Sequence, residues 1–407
     1  MNLLFISQWC YPEPDARIFN MACELVKKGH SVQILTGFPN YPGGKIYDGY
    51  KLSLNNREVL SGVEIIRVWL YPSHDNNSIR RIFNYLSYAI SASIQGAILT
   101  RKVDLIYVYH PPATVFIPAW ILGKIYRAKI VYDIQDLWPD SISATNMLMS
   151  RKIFNLINYF QKWIYKRSSA IAVISEGFKK CLVNRGIPEE KVFVIKNWSI
   201  PIGEQELDDS EQFDFENKFV LMFAGNIGKA QGLKTVIDAA QILQKQNIED
   251  ILFVFVGTGT SKYEIMEYSE SLYLKNVKFI NRVVPEKIGS VLKKADVLLI
   301  HLINNPLFKI TIPSKTQSYL MIGKPILAGI EGDAADIISS SGAGFIFTPE
   351  KPYDLVEKLL KMRSLSSFEL NVMASAGKEY YNRNLAMEVG ASKFEELFKK
   401  LLNKEKG

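Results

Sequence analysis

The stretch FVLMFAGNIGKAQGLKTVIDAAQIL, residues 219–243, decides the fold: an apolar run ends at a glycine-bearing loop and a helix-periodic segment follows at once. It reads as a strand, a turn of phosphate size and a helix N-terminus. Unpaired N–H groups in a first helical turn and the positive end of the helix dipole attract anions. Gly225, Gly228 and Gly232 let the backbone come close to such a guest. A nucleotide diphosphate fits, although glycines after a strand are also ordinary turn residues, so a second signal is needed.

That signal lies about eighty residues on, in IPSKTQSYLMIGKPILAGI, residues 312–330. Pro313 and Ser314 open a helix, Gly323 stops it, and PILAGI is the next strand. Lys315 therefore sits in a first helical turn, where the dipole disfavours a cation, which points to an anion beside it. A solvated lysine is the alternative.

Similar apolar runs alternate with helical stretches in two series, the pattern of parallel sheets built from βαβ units. The first comprises LLFIS, VQILT, VEIIRVW, DLIYVY, KIVYDI, AIAVIS and VFVI, and the second FVLMFA, ILFVFV, VKFI, VLLI, PILAGI and FIF. Between them runs SIPIGEQELDDSEQFDFENK, a polar and acidic stretch. The expected organisation is an N-terminal Rossmann-like domain over 1–198, a linker over 199–218 and a C-terminal Rossmann-like domain over 219–385. Such doubly wound domains bind ligand at the C-terminal ends of their strands, here in a central cleft. A chain of 407 residues with 48% hydrophobic content supports two substantial cores.

Cys10, Cys23 and Cys181 are scattered and odd in number, without metal-ligand spacing, which fits a reducing compartment. The N-terminus lacks the basic n-region of a signal peptide and reads as a first strand. A net charge of +8 with no concentrated basic and aromatic stripe makes nucleic acid a poor partner. Residues 82–100 carry no charge, but serines, Asn84 and Gln95 make them too polar to span a bilayer. Ile82, Leu86, Ile90, Ile94 and Ile98 recur every four residues, predicting an amphipathic helix with one buried face, or one that also rests on a bilayer. Lys162, Lys166 and Arg167 beside Phe160 and Trp163 suit a solvated face over a buried aromatic stripe or an anionic membrane surface.

The dinucleotide glycine pattern with its following acid is absent, and so is the Walker loop, which disfavours nicotinamide and P-loop chemistry. What is present, in order, is KKGHSVQILTGFPNYPGG, YHPP, DIQDLWPDS, KNW, AGNIGKAQGL, VGTG, PSKTQSYLMIGKPIL and EGDAADII. Over essentially its whole length the chain resembles the retaining glycosyltransferases of family four, with the α/β GT-B architecture. TGFPNYPGG, DLWPDS and IPSK are similar to the branch that moves N-acetylated amino or deoxyamino sugars, such as the N-acetyl-L-fucosamine transferases of O-antigen and capsule synthesis.

That resemblance implies a UDP-linked amino sugar as donor, an undecaprenyl-diphosphate-linked saccharide as acceptor, no metal or other cofactor, and a cytoplasmic enzyme peripheral on the inner face of the plasma membrane. It implies catalytic roles for His110 and Lys315, and donor contacts from Gly225, Asn226, Gly228, Lys229, Gln231, Gly257, Gly259, Arg282, Val283, His301, Ser314 and Ser318. Asp136 and Asp140 would contact the acceptor, and a C-terminal helix at about 386–407 would pack back on the first domain. The chain departs from the family at several points. Asn226 and Gln231 stand where an arginine and a lysine are usual, leaving Lys229 and Lys315 to supply the charge. Ile310 and Ser318 stand where a pair of glutamates is common. A UDP-sugar 2-epimerase on the same fold and a catalytically silent partner subunit are the other readings.

Overall fold

A computed structural model of the protein describes residues 1–14, 17–74, 77–141, 151–207, 213–215 and 217–403. The chain divides into two compact units, Met1–Lys196 with Met387–Gly407, and Asn197–Ala386.

The first unit is built on an eight-stranded sheet: β1 (Asn2–Ile6), β2 (Ser31–Gly37), β3 (Asn55–Leu60), β4 (Val63–Val68), β5 (Leu105–His110), β6 (Lys129–Ile134), β7 (Ala170–Val173) and β8 (Val192–Val194). Their order is β3-β4-β2-β1-β5-β6-β7-β8, and every pairing is parallel except β3 with β4. The apolar runs mark each parallel strand because both faces are covered. β3, NNREVL, escapes that reading: it is an exposed polar edge strand, held by pairing to β4. The helices are α1 (Arg17–Lys27), α2 (Ser78–Leu99), α3 (Phe116–Tyr126), α4 (Arg151–Arg167) and α5 (Glu176–Asn184).

α2 reverses the expected orientation. Its isoleucine stripe faces out, with Ile82 54%, Leu86 42%, Ile90 61%, Ile94 61% and Ile98 76% exposed. A second stripe, Asn84, Tyr88, Ala92 and Gly96, also recurs every four residues, offset by two positions or about 200° around the helix. This stripe is buried. Gln8 Nε2 donates to Asn84 Oδ1, Asn84 Nδ2 donates to the Tyr71 carbonyl at 2.7 Å, and the Tyr88 hydroxyl donates to the Leu35 carbonyl at 2.9 Å. At Gly96 a Cβ would lie 2.8 Å from Leu35 Cδ2 and 3.0 Å from Leu122 Cδ1. Close approach and satisfied polar groups outweigh side-chain hydrophobicity here.

The second unit carries a six-stranded parallel sheet: β9 (Phe219–Ala224), β10 (Ile251–Val256), β11 (Val277–Ile280), β12 (Val297–His301), β13 (Ile326–Gly329) and β14 (Gly344–Phe347), in the order β11-β10-β9-β12-β13-β14. The helices are α6 (Lys234–Lys245), α7 (Lys262–Ser271), α8 (Ile288–Lys293), α9 (Pro306–Lys309), α10 (Ser314–Ile322), α11 (Asp333–Ser341), α12 (Pro352–Arg363) and α13 (Ser367–Asn384). Strand order reverses between β9 and β12, which places the crevice of a doubly wound sheet at their C-terminal ends. The described part of the stretch read as a linker is not free chain. Gln205 N donates to the Glu286 carbonyl at 2.9 Å, Gly289 N donates to that of Gly203 at 2.9 Å, and Ile202 and Leu207 pack on the unit's core. Residues 208–212 and 216 of that stretch lie outside the described residues.

The last helix, α14 (Met387–Asn403), belongs to the first unit, where Phe394 packs edge-on against Tyr107 at 5.2 Å. Glu395 is gripped by Lys399 Nζ at 2.5 Å, His30 Nε2 at 3.0 Å and Lys28 Nζ at 3.3 Å. Lys399 foremost, with His30 and Lys28, holds the Glu395 carboxyl down from 4.5 to about 2. A depressed carboxylate stabilises the fold above its unfolded pKa and loses that contribution as pH falls through the window from about 4.5 to about 2. Glu395→Gln is therefore expected to lower stability by about 1 kcal/mol at neutral pH, a solvent-screened value. In urea unfolding at pH 7 and pH 3, the gap between variant and wild type should narrow at the lower pH.

Candidate active site

β9 ends at Ala224, and the chain then turns through Gly225 at φ +133°. Alongside it the loop after β10 turns through Gly257 at φ +140°. The two loops are zipped together: Gly225 N donates to the Val256 carbonyl at 2.9 Å, Ile227 N to that of Thr258 at 2.9 Å, and Ser261 N to that of Ile227 at 3.0 Å. The approach leaves no room for side chains. A Cβ at Gly257 would lie 2.0 Å from the Gly225 oxygen, and one at Gly259 2.3 Å from the Ile227 oxygen.

The N-terminus of α10 faces the same place, with Pro313 as N-cap and Gly323 closing the helix at φ +74°. From one turn further along α10, the Tyr319 hydroxyl, itself 3.3 Å from the Ala224 carbonyl, accepts from Ala224 N at 3.1 Å, locking the helix to the end of β9. Lys315 lies above this junction with its Nζ 4.5 Å from the centre of the Phe223 ring. Burial pulls its pKa from 10.5 down to about 8. No ion pair to Lys315 is present among the described residues.

These elements enclose a cavity of about 570 Å³. Of the residues expected on the donor, Gly225, Asn226, Gly257, Arg282, Val283, Ser314, Lys315 and Ser318 line it. Thr258, Tyr319, Ile202, Ile288 and Leu292 line it as well. Its charged residues are Lys315 and Arg282, and its described wall carries no carboxylate. The arrangement suits a dianionic group at Lys315 and the α10 N-terminus, with apolar surface from α8 for a flat ring. Tyr319 was legible as the residue one helical turn after Lys315, whereas Ile202 and Leu292 carried no signal because distant segments bring them here.

The other donor candidates sit outside the cavity wall. Gly228 and Gln231 close a turn on themselves, Gly228 N donating to Gln231 Oε1 at 3.0 Å, and Lys229 is exposed on that turn. Gly259 serves loop-to-loop packing. His301 is buried, stacked on Phe347 at 5.6 Å, with Nδ1 2.7 Å from the Gln231 carbonyl and Nε2 accepting from Glu350 N at 3.2 Å. A carbonyl only accepts and an N–H only donates, so His301 is the neutral Nδ1–H tautomer, and burial lowers its pKa accordingly. It fastens the glycine loop from behind.

In the first unit, His110 is fully buried, with neither ring nitrogen hydrogen-bonded among the described residues, and it lies edge-on to Trp138 at 5.2 Å. Desolvation holds its pKa at about 3, so the ring is neutral. Asp136 is exposed, while Asp140 pairs with Arg185 at 2.7 Å. Asp133 accepts from the Tyr107 hydroxyl at 2.5 Å and from Gln135 Nε2 at 2.8 Å.

Two doubly wound sheets, parallel but for the β3–β4 edge pair, the second with a cationic cavity at its switch point whose described wall carries no carboxylate, have the architecture of the GT-B glycosyltransferases. Residues 204–379 match the family described as glycosyl transferases group 1 and residues 14–198 the glycosyl transferase 4-like domain. Together the two matches span most of the chain, which is a glycosyltransferase. It is 25% identical over 310 residues, 74% of its own length and 75% of the other's, to WcaI of Escherichia coli (strain K12), provisionally named a colanic acid biosynthesis glycosyl transferase. HepE of Anabaena in complex with UDP-glucose matches with a TM-score of 0.67 at 15% identity, covering 98% of this chain and 100% of that one. WaaG, a glycosyltransferase involved in lipopolysaccharide biosynthesis, matches with a TM-score of 0.63 at 14% identity, over 97% and 99% of the two chains.

Proposed function

We propose that the protein transfers a sugar, with retention at its anomeric carbon, from a UDP donor to a lipid-linked saccharide in the synthesis of a surface polysaccharide. The observation that carries this reading is Lys315, a half-buried ammonium at a helix N-terminus without an acidic partner among the described residues, facing a cavity of nucleotide size. In the front-face reaction the acceptor oxygen bonds to the anomeric carbon as the bond to the diphosphate breaks, and the departing phosphate oxygen takes the acceptor's proton. Lys315 and the α10 N–H groups neutralise charge growing on that diphosphate, and no protein base is required. In this reading the α8 side chains and Gly257 seat the uracil ring.

Relatives in colanic acid and lipopolysaccharide synthesis, and a neighbour holding UDP-glucose, support the broader part of the reading. For the sugar we propose an N-acetylated amino or deoxyamino hexose, N-acetyl-L-fucosamine first, on the strength of TGFPNYPGG, DLWPDS and IPSK. The acceptor in this reading is carried on undecaprenyl diphosphate. An epimerase would need acidic groups around the donor sugar, and the described wall of the cavity presents none.

Calorimetric titration with UDP and with GDP tests the donor site. Selective UDP binding is the expected result, to be followed by UDP release from UDP-amino sugars in the presence of acceptor. Binding of neither nucleotide would favour a silent subunit, and isomerised sugar without UDP release would favour the epimerase. Because Lys315 loses its proton near pH 8, UDP affinity is expected to fall as pH rises through that value, with proton uptake on binding above it. Titration in buffers of different ionisation enthalpy measures that uptake, and a pH-independent affinity between 7 and 9 would show that the lysine does not meet the diphosphate.

A further inference from the structure

The fold leaves the outward stripe of α2 exposed. Ile82, Leu86, Ile90, Ile94 and Ile98 form an unbroken exposed apolar line on a helix about 33 Å long. Isolated exposed apolar residues are ordinary, but a continuous stripe marks a surface that meets something. α2 does not stand alone. Its Gly96 abuts Leu122 of α3, and α3 meets α4 through Trp120 and Trp163, whose rings are 5.5 Å apart. α4 adds Ile153, Leu156 and Tyr159, exposed by 50%, 67% and 73%.

The charge of this layer says what it meets. α2, α3 and α4 together contain eight Lys and Arg and no Asp or Glu. Two-fold pairing with a second copy would set basic surface against basic surface, which is unfavourable. An anionic lipid headgroup layer instead satisfies the cations while its acyl boundary takes up the isoleucines. Among the described residues no helix is long and apolar enough to cross a membrane, so the contact is with the surface.

We infer that the α2–α3–α4 layer of the first unit docks on an anionic bilayer, with the α2 isoleucine stripe as its principal inserting element. This deepens the reading above, since a lipid-linked acceptor gives the docking its purpose, but its evidence lies in residues apart from the donor cavity.

The experiment is co-sedimentation of the full chain with phosphatidylcholine vesicles, with and without phosphatidylglycerol, free of any acceptor. Wild type is expected to bind the anionic vesicles and to bind less as salt rises, and Ile90→Asn/Ile94→Asn to lose roughly tenfold or more of that affinity. Circular dichroism and thermal unfolding of the same variant, expected to match wild type, confirm that it is folded, and its UDP titration, also expected to match, separates a failure of this inference from a failure of the donor-site reading. No vesicle binding by wild type, equal binding to neutral vesicles, or undiminished binding by the variant would overturn the inference. A wild-type dimer that the variant turns into a monomer would assign the stripe to a second copy instead.

Discussion

Lys315→Met is expected to lower turnover by roughly a hundred- to a thousandfold, the effect typical of losing one preorganised donor to developing negative charge. UDP affinity should fall with it, by about tenfold or more, because the α10 N–H groups remain while the full charge is gone. The same substitution should make the ligand-free protein more stable. Burial lowers the Lys315 pKa from 10.5 to about 8, so at neutral pH the folded chain holds a charged group in surroundings that disfavour it. That shift corresponds to about 3 kcal/mol, and the lost cation–π contact with Phe223 gives back about 1 kcal/mol. A net gain near 2 kcal/mol is expected, with methionine keeping the apolar stem in place. Between pH 8 and 10.5 the unfolded chain binds more protons at this group than the folded one, so wild-type stability recovers as pH rises. The gain of the variant is therefore full below pH 8 and fades towards pH 10.5. Thermal unfolding across that range, paired with steady-state kinetics, checks both halves. Unchanged turnover would remove Lys315 from the mechanism, and unchanged stability would show its ammonium to be solvated.

Gly257→Ala should be the most damaging single-methyl change in the second unit's site. Two terms add: φ is +140°, and the new Cβ would lie 2.0 Å from the Gly225 carbonyl oxygen, a backbone atom that cannot rotate away. The loop pair must separate, which breaks the Gly225 N to Val256 hydrogen bond and moves Gly225 away from Lys315. A loss of roughly 3 kcal/mol or more in urea unfolding is expected, together with loss of measurable UDP binding. Gly186→Ala is the control, because its φ is +86° but nothing lies within 4 Å of the added Cβ. Conformational strain alone should cost it about 1 kcal/mol and leave UDP binding intact. Equal losses at the two positions would mean that the approach of the loops at Gly257 carries no energy of its own.

Much of this site is local, and that part was legible in the chain. An apolar run ending in glycine, or a proline-serine start with lysine in the first turn, specifies its own geometry within a few residues, so Gly225, Lys315 and the ends of α10 follow from neighbours in sequence. The glycines at 228 and 259 look the same in sequence as those at 225 and 257. Whether such a glycine faces a ligand or another loop depends on which strand end lies beside it, and the order β10-β9-β12 decides that. His301 shows the same limit, since its two hydrogen-bond partners, at Gln231 and Glu350, are 70 and 49 residues away.

α2 marks the boundary most clearly. Its sequence determines a helix and two stripes of period four, because backbone hydrogen bonding and side-chain spacing are local matters. Which stripe turns inward is a question of fit against β2 and α3, where Gly96 allows close contact, and of polar partners, which Asn84 finds in Gln8 and the Tyr71 carbonyl. Sequence alone determined the alternation of strands and helices and a helix start with a lysine in its first turn. Only the tertiary structure decided which residues share the cavity and which apolar face is left exposed, because hydrophobicity ranks side chains one at a time, whereas packing depends on the shape and polar groups of what lies opposite.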